Sequence, residues 1–213
     1  MKQRVLRELL ILGTGVHALE MAEIVERVNR AQPTWNLLGY ITQDEKQVGQ
    51  SLNGAPVLGT MAVLKKYPLA GLVPCNEGGW KTMPDLPRQQ LVSLIDPSVF
   101  VSRTAQIGAG CVFYPGCYIG LNAKVGDFVF CLGGSVINHD DVVEDGVVLC
   151  SAVTLAGSVH VKPDCYLGQS CTIRQFLTIG RHSLIGMGAV VVKNVPPDSV
   201  MAGNPARKIR ENV

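Results

Sequence analysis

The sequence predicts two domains of different class: an α/β domain with a small Rossmann-like parallel sheet over residues 1–94, then an all-β parallel β-helix over 95–213. Two observations carry this. The opening segment reads as an apolar run, a glycine-rich turn, an amphipathic helix and a second apolar run, the start of a parallel α/β sheet. From Val101 onward the chain divides into fifteen successive sixes without one insertion, and the first residue of every six is apolar. Such a fixed period means stacked structural units.

In the first domain, Leu9–Leu12 is a short apolar run of the buried parallel-strand type. Ala18, Met21, Ala22, Val25 and Val28 then recur at helical spacing. LLGYI (37–41) supplies a second strand, and AGLVPC (70–75) a later one, with a helix around 60–67 before it. Between first strand and helix, Gly13-Thr14-Gly15-Val16-His17-Ala18 fits G-x-G-x-x-A, a pattern that lets backbone approach a phosphate at a helix N-terminus. A dinucleotide site also needs an acidic residue where the second strand ends. Here the strand runs into Thr42 and Gln43, the first carboxylate is Asp44, and the domain is short, so a nicotinamide enzyme is not expected. His17 sits at the mouth of the sheet, where ligands of open α/β sheets bind. A helix-start histidine with only a local hydrogen bond is the other reading of that position.

In the second domain each six makes a short strand and a turn, with its first residue pointing inward. Three sixes form one triangular coil of 18 residues, so fifteen repeats give five coils. The fifth slot is mostly small and carries one charge, Asp141, in the stretch VINHDD (136–141). Cys111, Cys117, Cys165 and Cys171 occupy the fifth slot and Cys131 a first slot, so their spacing is the repeat and they are expected to be small buried hydrophobes. Cys150, in an outward slot, and Cys75 lie outside that pattern. His139, His160 and His182 fall at third, sixth and fourth slots and point different ways, so no metal site is expected within the chain.

Composition narrows the classes further. The 213 residues are 47% hydrophobic and 17% charged, with 23 glycines, which suits a compact, turn-rich protein. The net charge is +2 without a basic tract, so no nucleic-acid partner is expected. The apolar run near the N-terminus is too short for a signal peptide, and no stretch is long enough for a membrane span. Seven cysteines, an odd number without a secretory signal, argue for reduced thiols and a cytoplasmic location.

With the repeat placed, the chain resembles the sugar O-acyltransferase family of sialic-acid O-acetyltransferases and bacterial nucleotide-amino-sugar N-acetyltransferases. The resemblance runs over nearly the whole chain. It rests on Gly13, Gly15 and His17, on GAPVLG (54–59), DPSVFVSRTAQIGAG (96–110), INHDDVVEDG (137–146), LAGSV (155–159) and VPPDSVMAGNPARKIR (195–210). It implies a left-handed β-helix, a homotrimer, and acetyl-CoA as co-substrate in the groove between neighbouring β-helices. It also implies that the first domain binds a nucleotide-linked sugar, with Gly13, Gly15, His17 and Asp44 as candidate contacts. Arg207 and Lys208 resemble the family's segment near the CoA nucleotide and would meet its phosphates. Read without the family, they are the solvated basic end of a short C-terminal helix.

His139 is the candidate base. Acyl transfer to an amine or hydroxyl needs a group that takes a proton near neutral pH, and the third slot faces outward. In the family the residue after the histidine orients it, here Asp140. A residue 18 positions on, Gly157, stacks one coil away at roughly 4.8 Å. Its N–H is a candidate oxyanion donor, as in the family's L-A-G segment, although a plain turn glycine would look the same. Asp141 rivals Asp140 as the orienting carboxylate, and if buried it must find donors. Several positions depart from the family: Val148 replaces a second histidine, Val16 precedes His17, Thr42 and Gln43 replace paired aspartates, and Pro74-Cys75-Asn76 replaces G-D-N. The expected function is direct acetyl transfer from acetyl-CoA to the amine of a nucleotide-linked amino sugar. The alternatives are O-acetylation of a sialic acid or related sugar, and a non-catalytic β-helix protein that binds a nucleotide or sugar.

Overall fold

The computed structural model describes residues 5–76 and 86–212. The chain forms two compact units, Met1–Pro97 and Ser98–Val213. Among the described residues no helix is long and apolar enough to cross a membrane.

In the first unit, β1 (Arg7–Leu12) passes through the glycine turn into α1 (Val16–Ala31), followed by β2 (Trp35–Ile41), β3 (Ser51–Leu52), β4 (Ala55–Gly59) and β5 (Gly71–Pro74). They form one sheet in the order β3-β4-β2-β1-β5. Leu9 to Leu12 are fully buried, and α1 buries Ala18, Met21, Ala22, Ile24 and Val25. The sheet is mixed rather than parallel throughout, because β3 runs antiparallel to β4. Asn53 and Gly54 make that reversal at φ 46° and 77°, the left-handed pair that a two-residue hairpin turn requires. The helix expected around 60–67 is a 3₁₀ helix, Met61–Lys66. Pro68 turns the residue before it away from helical geometry, and six residues are too few to sustain an α-helix without it. Arg27 of α1 meets buried Asp96 through the Nε and Nη2 edge of its guanidinium, the Nη2–Oδ1 contact being 3.1 Å. The pairing answers the desolvation of that carboxylate.

The second unit is a parallel β-solenoid. One face stacks six strands: Phe100–Val101, Tyr118–Ile119, Val136–Ile137, Thr154–Leu155, Thr172–Ile173 and Val190–Val191. Six strands on a face bound the five expected coils. Partners are 18 residues apart, as in Ile119 with Ile137 and Val143 with Val161, until the last rung, where Leu184 meets Val200. First-slot residues from Phe113 to Ile185 are all buried, as are fifth-slot residues from Cys111 to Ala189, Asp141 included. A third rule is conformational. Every fourth-slot residue from Gly110 to Gly188 has φ between 52° and 76°, so each corner turns through the left-handed region. Even Phe128 and Phe176 are held there, although bulky side chains disfavour it.

Two expectations are corrected. Cys150, although in an outward slot, is not exposed: it is buried, with Tyr166 of the next coil beside its thiol. Among the described residues the short C-terminal helix is absent. Ser199–Gly203 instead extends the ladder beside Leu184–Ile185 and folds back into the antiparallel strand Ala206–Glu211. Pro205 bars Asn204 from helix, Gly203 at φ 96° allows the reversal, and the returning strand covers the ladder's last edge.

The interior sets a clear test. Leu155→Ala empties a fully buried first slot and is expected to destabilise the protein by about 2–5 kcal/mol. Thr154→Ala, on the other side of the same strand, is expected to cost about 1 kcal/mol or less. Urea midpoints of the two variants check this.

Candidate active site

His139 lies on the corner between Val136–Ile137 and Val142–Val143, at an outward slot, with its side chain 56% exposed. Asp140 occupies the left-handed fourth slot at φ 59°, a conformation aspartate tolerates well. That turn brings its Oδ2 to 3.0 Å from His139 Nδ1. An ionised carboxylate only accepts, so Nδ1 carries the proton and Nε2 is left with its lone pair. Asn122, one coil below, donates from Nδ2 to the other oxygen of Asp140 at 3.0 Å. The bonds from His139 and then Asn122 hold the Asp140 carboxyl below its ordinary range. Asn122 was not singled out in the sequence, although 122 plus 18 is 140, the same arithmetic that links 139 to 157.

Gly157 stands over the imidazole. A β-carbon added there would lie 2.8 Å from His139 Nε2 and 2.9 Å from Cε1, so the ring fills the space that any other residue would claim. Gly157 has φ 104°, and it alone among third-slot residues has a positive φ. Its N–H makes no hydrogen bond among the described residues, while the flanking Ala156 N–H bonds to Ile173 O and Ser158 N–H to His139 O at 3.0 Å. The arrangement therefore offers a base nitrogen and an unengaged backbone donor side by side, on adjacent coils.

Asp141 is settled by its bonds. The side chain is fully buried. Its Oδ2 accepts from Asn138 N–H at 2.6 Å and its Oδ1 from Val159 N–H at 2.8 Å. Burial nevertheless pushes its carboxyl up to about 6, against the lowering effect of the two N–H groups. The carboxylate that meets the imidazole is thus Asp140, and Asp141 joins two coils from inside.

The other histidines have separate carboxylate partners. His160 Nε2 meets Glu144 at 2.5 Å, which Lys162 also contacts at 2.9 Å, and His182 meets Asp198 at 3.3 Å. Among the described residues no three His, Cys, Asp or Glu side chains group as metal ligands.

The remaining candidates belong to the first unit and to the last strand of the second. Gly13 is buried with φ 135° and donates to Ile41 O at 2.8 Å; Gly15 precedes α1 with no side-chain cap. His17 Nδ1 lies 3.1 Å from Glu20. Asp44 caps the 3₁₀ helix Glu45–Gln47, accepting from Lys46 N–H at 3.0 Å. Thr42 and Thr14 both donate to Gln47 Oε1, at 2.6 and 2.8 Å, so the strand end that lacks acidic residues is filled by a neutral network. Arg207 and Lys208 sit on the last strand. Arg207 donates to Ala206 O at 3.0 Å, and Lys208 pairs with Glu211 at 2.6 Å.

No family model matches the chain. Among curated proteins it is similar to the acyl-[acyl-carrier-protein]–UDP-N-acetylglucosamine O-acyltransferase of Nautilia profundicola, 32% identical over 88 residues, covering 41% of this chain and 34% of that protein. The enzyme of the same description from Pseudomonas savastanoi pv. phaseolicola is 38% identical over 82 residues, covering 38% and 32%. The chain thus spans about a third of the length of the curated relatives it matches. Among solved structures, PerB from Caulobacter crescentus, in complex with CoA and GDP-perosamine, superposes with a TM-score of 0.83 at 25% identity, covering 97% of this chain and 99% of that one. The acetyltransferase domain of PglB from Neisseria gonorrhoeae, in complex with acetyl coenzyme A, gives 0.83 at 25% identity, covering 96% and 100%.

Two outcomes follow from the geometry. Gly157→Ala must displace the imidazole and strain the backbone, so the His139 ring resonances are expected to shift while Asn122 and Asp140 keep their bond; an unmoved ring in NMR spectra would contradict the packing. For Asp141, a carboxyl raised to about 6 binds its proton more tightly in the folded than in the unfolded chain. Its contribution to stability is full below about pH 4 and is lost as pH rises through about 6. Between pH 4 and pH 7 the wild type is expected to lose about 2 kcal/mol relative to Asp141→Asn, read from urea midpoints at the two pH values.

Proposed function

We propose that this chain, a member of the hexapeptide-repeat β-helix acetyltransferase family, transfers an acetyl group from acetyl-CoA to the amine of a nucleotide-linked amino sugar. The observation that carries this is His139, with Nδ1 held by Asp140 and Nε2 packed against Gly157. That is a base beside an oxyanion donor, which direct acyl transfer needs.

In this reading Nε2 takes a proton from the sugar amine as its nitrogen attacks the thioester carbonyl. The Gly157 N–H receives the negative charge that develops on the carbonyl oxygen. Asp140 fixes the tautomer and balances the imidazolium. When the tetrahedral adduct collapses, the C–S bond breaks and the imidazolium returns its proton to the departing CoA sulfur. Two products leave, the acetamido sugar and free CoA. Gly13, Gly15 and His17 would bind the nucleotide-linked sugar, and Arg207 and Lys208 the CoA phosphates, with Lys208 first leaving Glu211. Acetyl-CoA is a co-substrate here and no metal takes part. The active assembly is a homotrimer with CoA lying in the groove between neighbouring solenoids.

Whole-chain likeness to the GDP-perosamine N-acetyl transferase of Caulobacter crescentus favours N-acetylation over O-acylation, since the matches to O-acyltransferases extend over about two fifths of the chain. The paired and oriented His139 favours catalysis over simple ligand binding.

The test is thiol release from acetyl-CoA with a panel of nucleotide-linked 4-amino sugars and free sialic acid. His139→Ala is expected to lose about 10²–10⁴-fold in kcat, and Asp140→Asn a smaller amount, about tenfold or more. Release confined to sialic acid would replace the N-acetyl reading with the O-acetyl one, and failure to bind acetyl-CoA would overturn both.

A further inference from the structure

Asp141 breaks the solenoid's interior rule at the coil that carries the base. It is the one charged residue in the fifth slot. The same slot one coil below holds Ala123 and one coil above Val159, both buried. The charged side chains acting on Asp141 are His139 and Asp140.

Its two oxygens reach different coils. Oδ2 receives the N–H of Asn138, the residue before His139, and the Asn138 side chain in turn accepts from His139 N–H at 3.0 Å. Oδ1 receives the N–H of Val159, two residues after Gly157. One buried carboxylate therefore bridges the segment holding the base and the segment holding the oxyanion donor. Gly157 and Ser158 both have positive φ in succession, which no other third- and fourth-slot pair of the solenoid shows. Val159 is where the chain rejoins the regular interior, and the bond from Asp141 fixes that point.

We infer that Asp141 is a positioning residue for the proposed transfer reaction: it joins the two coils from inside and sets the distance between His139 Nε2 and the Gly157 N–H. The assignment rests on the acetyltransferase reading. It explains why a charge stays in a slot where a small apolar residue would pack with less cost. A carboxylate has two acceptor oxygens directed apart, which a serine or cysteine does not.

The experiment compares Asp141→Asn, which keeps one acceptor, and Asp141→Ser, which restores a small slot residue, with Ser183→Ala. Ser183 is a buried fifth-slot hydroxyl that also ties coils together, donating to Pro196 O at 3.0 Å and accepting from Ser199 N–H at 3.3 Å. Steady-state kinetics with acetyl-CoA and a turned-over amino sugar are expected to show kcat falling about 10–100-fold in the Asp141 variants, the scale of a misplacement near 1 Å. KM values are expected to stay within about twofold, because binding surfaces are untouched. Ser183→Ala is expected to keep kcat. On a His139→Ala background, Asp141→Ser is expected to cost much less than in the wild type, since the base–donor distance it sets no longer matters once the base is gone. Amide exchange at Val159 is expected to quicken in both Asp141 variants.

A kcat loss equal to that of Ser183→Ala, a loss that adds fully to His139→Ala, or unchanged exchange at Val159 would each overturn the role of Asp141 and leave the acetyltransferase reading intact. A wild-type protein that releases no thiol with any acceptor would instead remove the reading itself, and this assignment with it.

Discussion

The parallel ladder between residue i and residue i+18 is the constraint on which the second unit depends. Each short strand bonds to the same slot one coil away, and buried backbone groups leave no other place for those bonds to go. Closure of each coil then demands a left-handed residue at every fourth slot. The first and fifth slots fill the enclosed column with close-packed side chains, so those slots are mostly apolar or small. What remains free is the outward third slot, and a catalytic side chain placed there inherits a fixed neighbour one coil above and another below.

The departures from these rules gather at one corner. Asp141 puts a charge in the interior, and Gly157 puts a positive φ where no other third-slot residue has one. Asp140 fills a corner position with a residue that both accepts the backbone conformation and reaches the imidazole. Two carboxylates in sequence thus divide the work by direction. Asp140 faces solvent, is bonded by His139 and Asn122, and stays readily ionised. Asp141 faces inward, where burial opposes its charge. A site that departs from its scaffold's rules at a cost in stability is the pattern expected of function rather than of folding alone.

The first unit has a different logic. Its glycine turn leads directly into α1, as phosphate-binding turns do. Yet the strand end beside that turn carries no acidic residue, and Gln47 gathers the hydroxyls of Thr14 and Thr42 there. Asp44, the first carboxylate after the strand, is engaged in capping the short helix Glu45–Gln47. The local surface is neutral and already hydrogen-bonded, which separates it from sites built to hold a ribose with a carboxylate.

The order of elements, the period of six, the identity of the inward slots and the stacking of Gly157 on His139 were legible in the sequence by itself. All of them are translational: once the backbone repeats, adding 18 finds the neighbour, and burial follows the slot. Asn122 under Asp140 was equally available to that arithmetic. The choice between Asp140 and Asp141, the burial of Cys150 beneath Tyr166, the mixed sheet turned at Asn53-Gly54 and the hairpin that replaces a C-terminal helix were decided by the tertiary structure. These depend on which donors stand opposite a group across coils or strands, and on the dihedral angles at a corner. A carboxylate pointing in and one pointing out read alike in the sequence. Only the N–H groups of Asn138 and Val159 on one side, and the imidazole of His139 on the other, separate them.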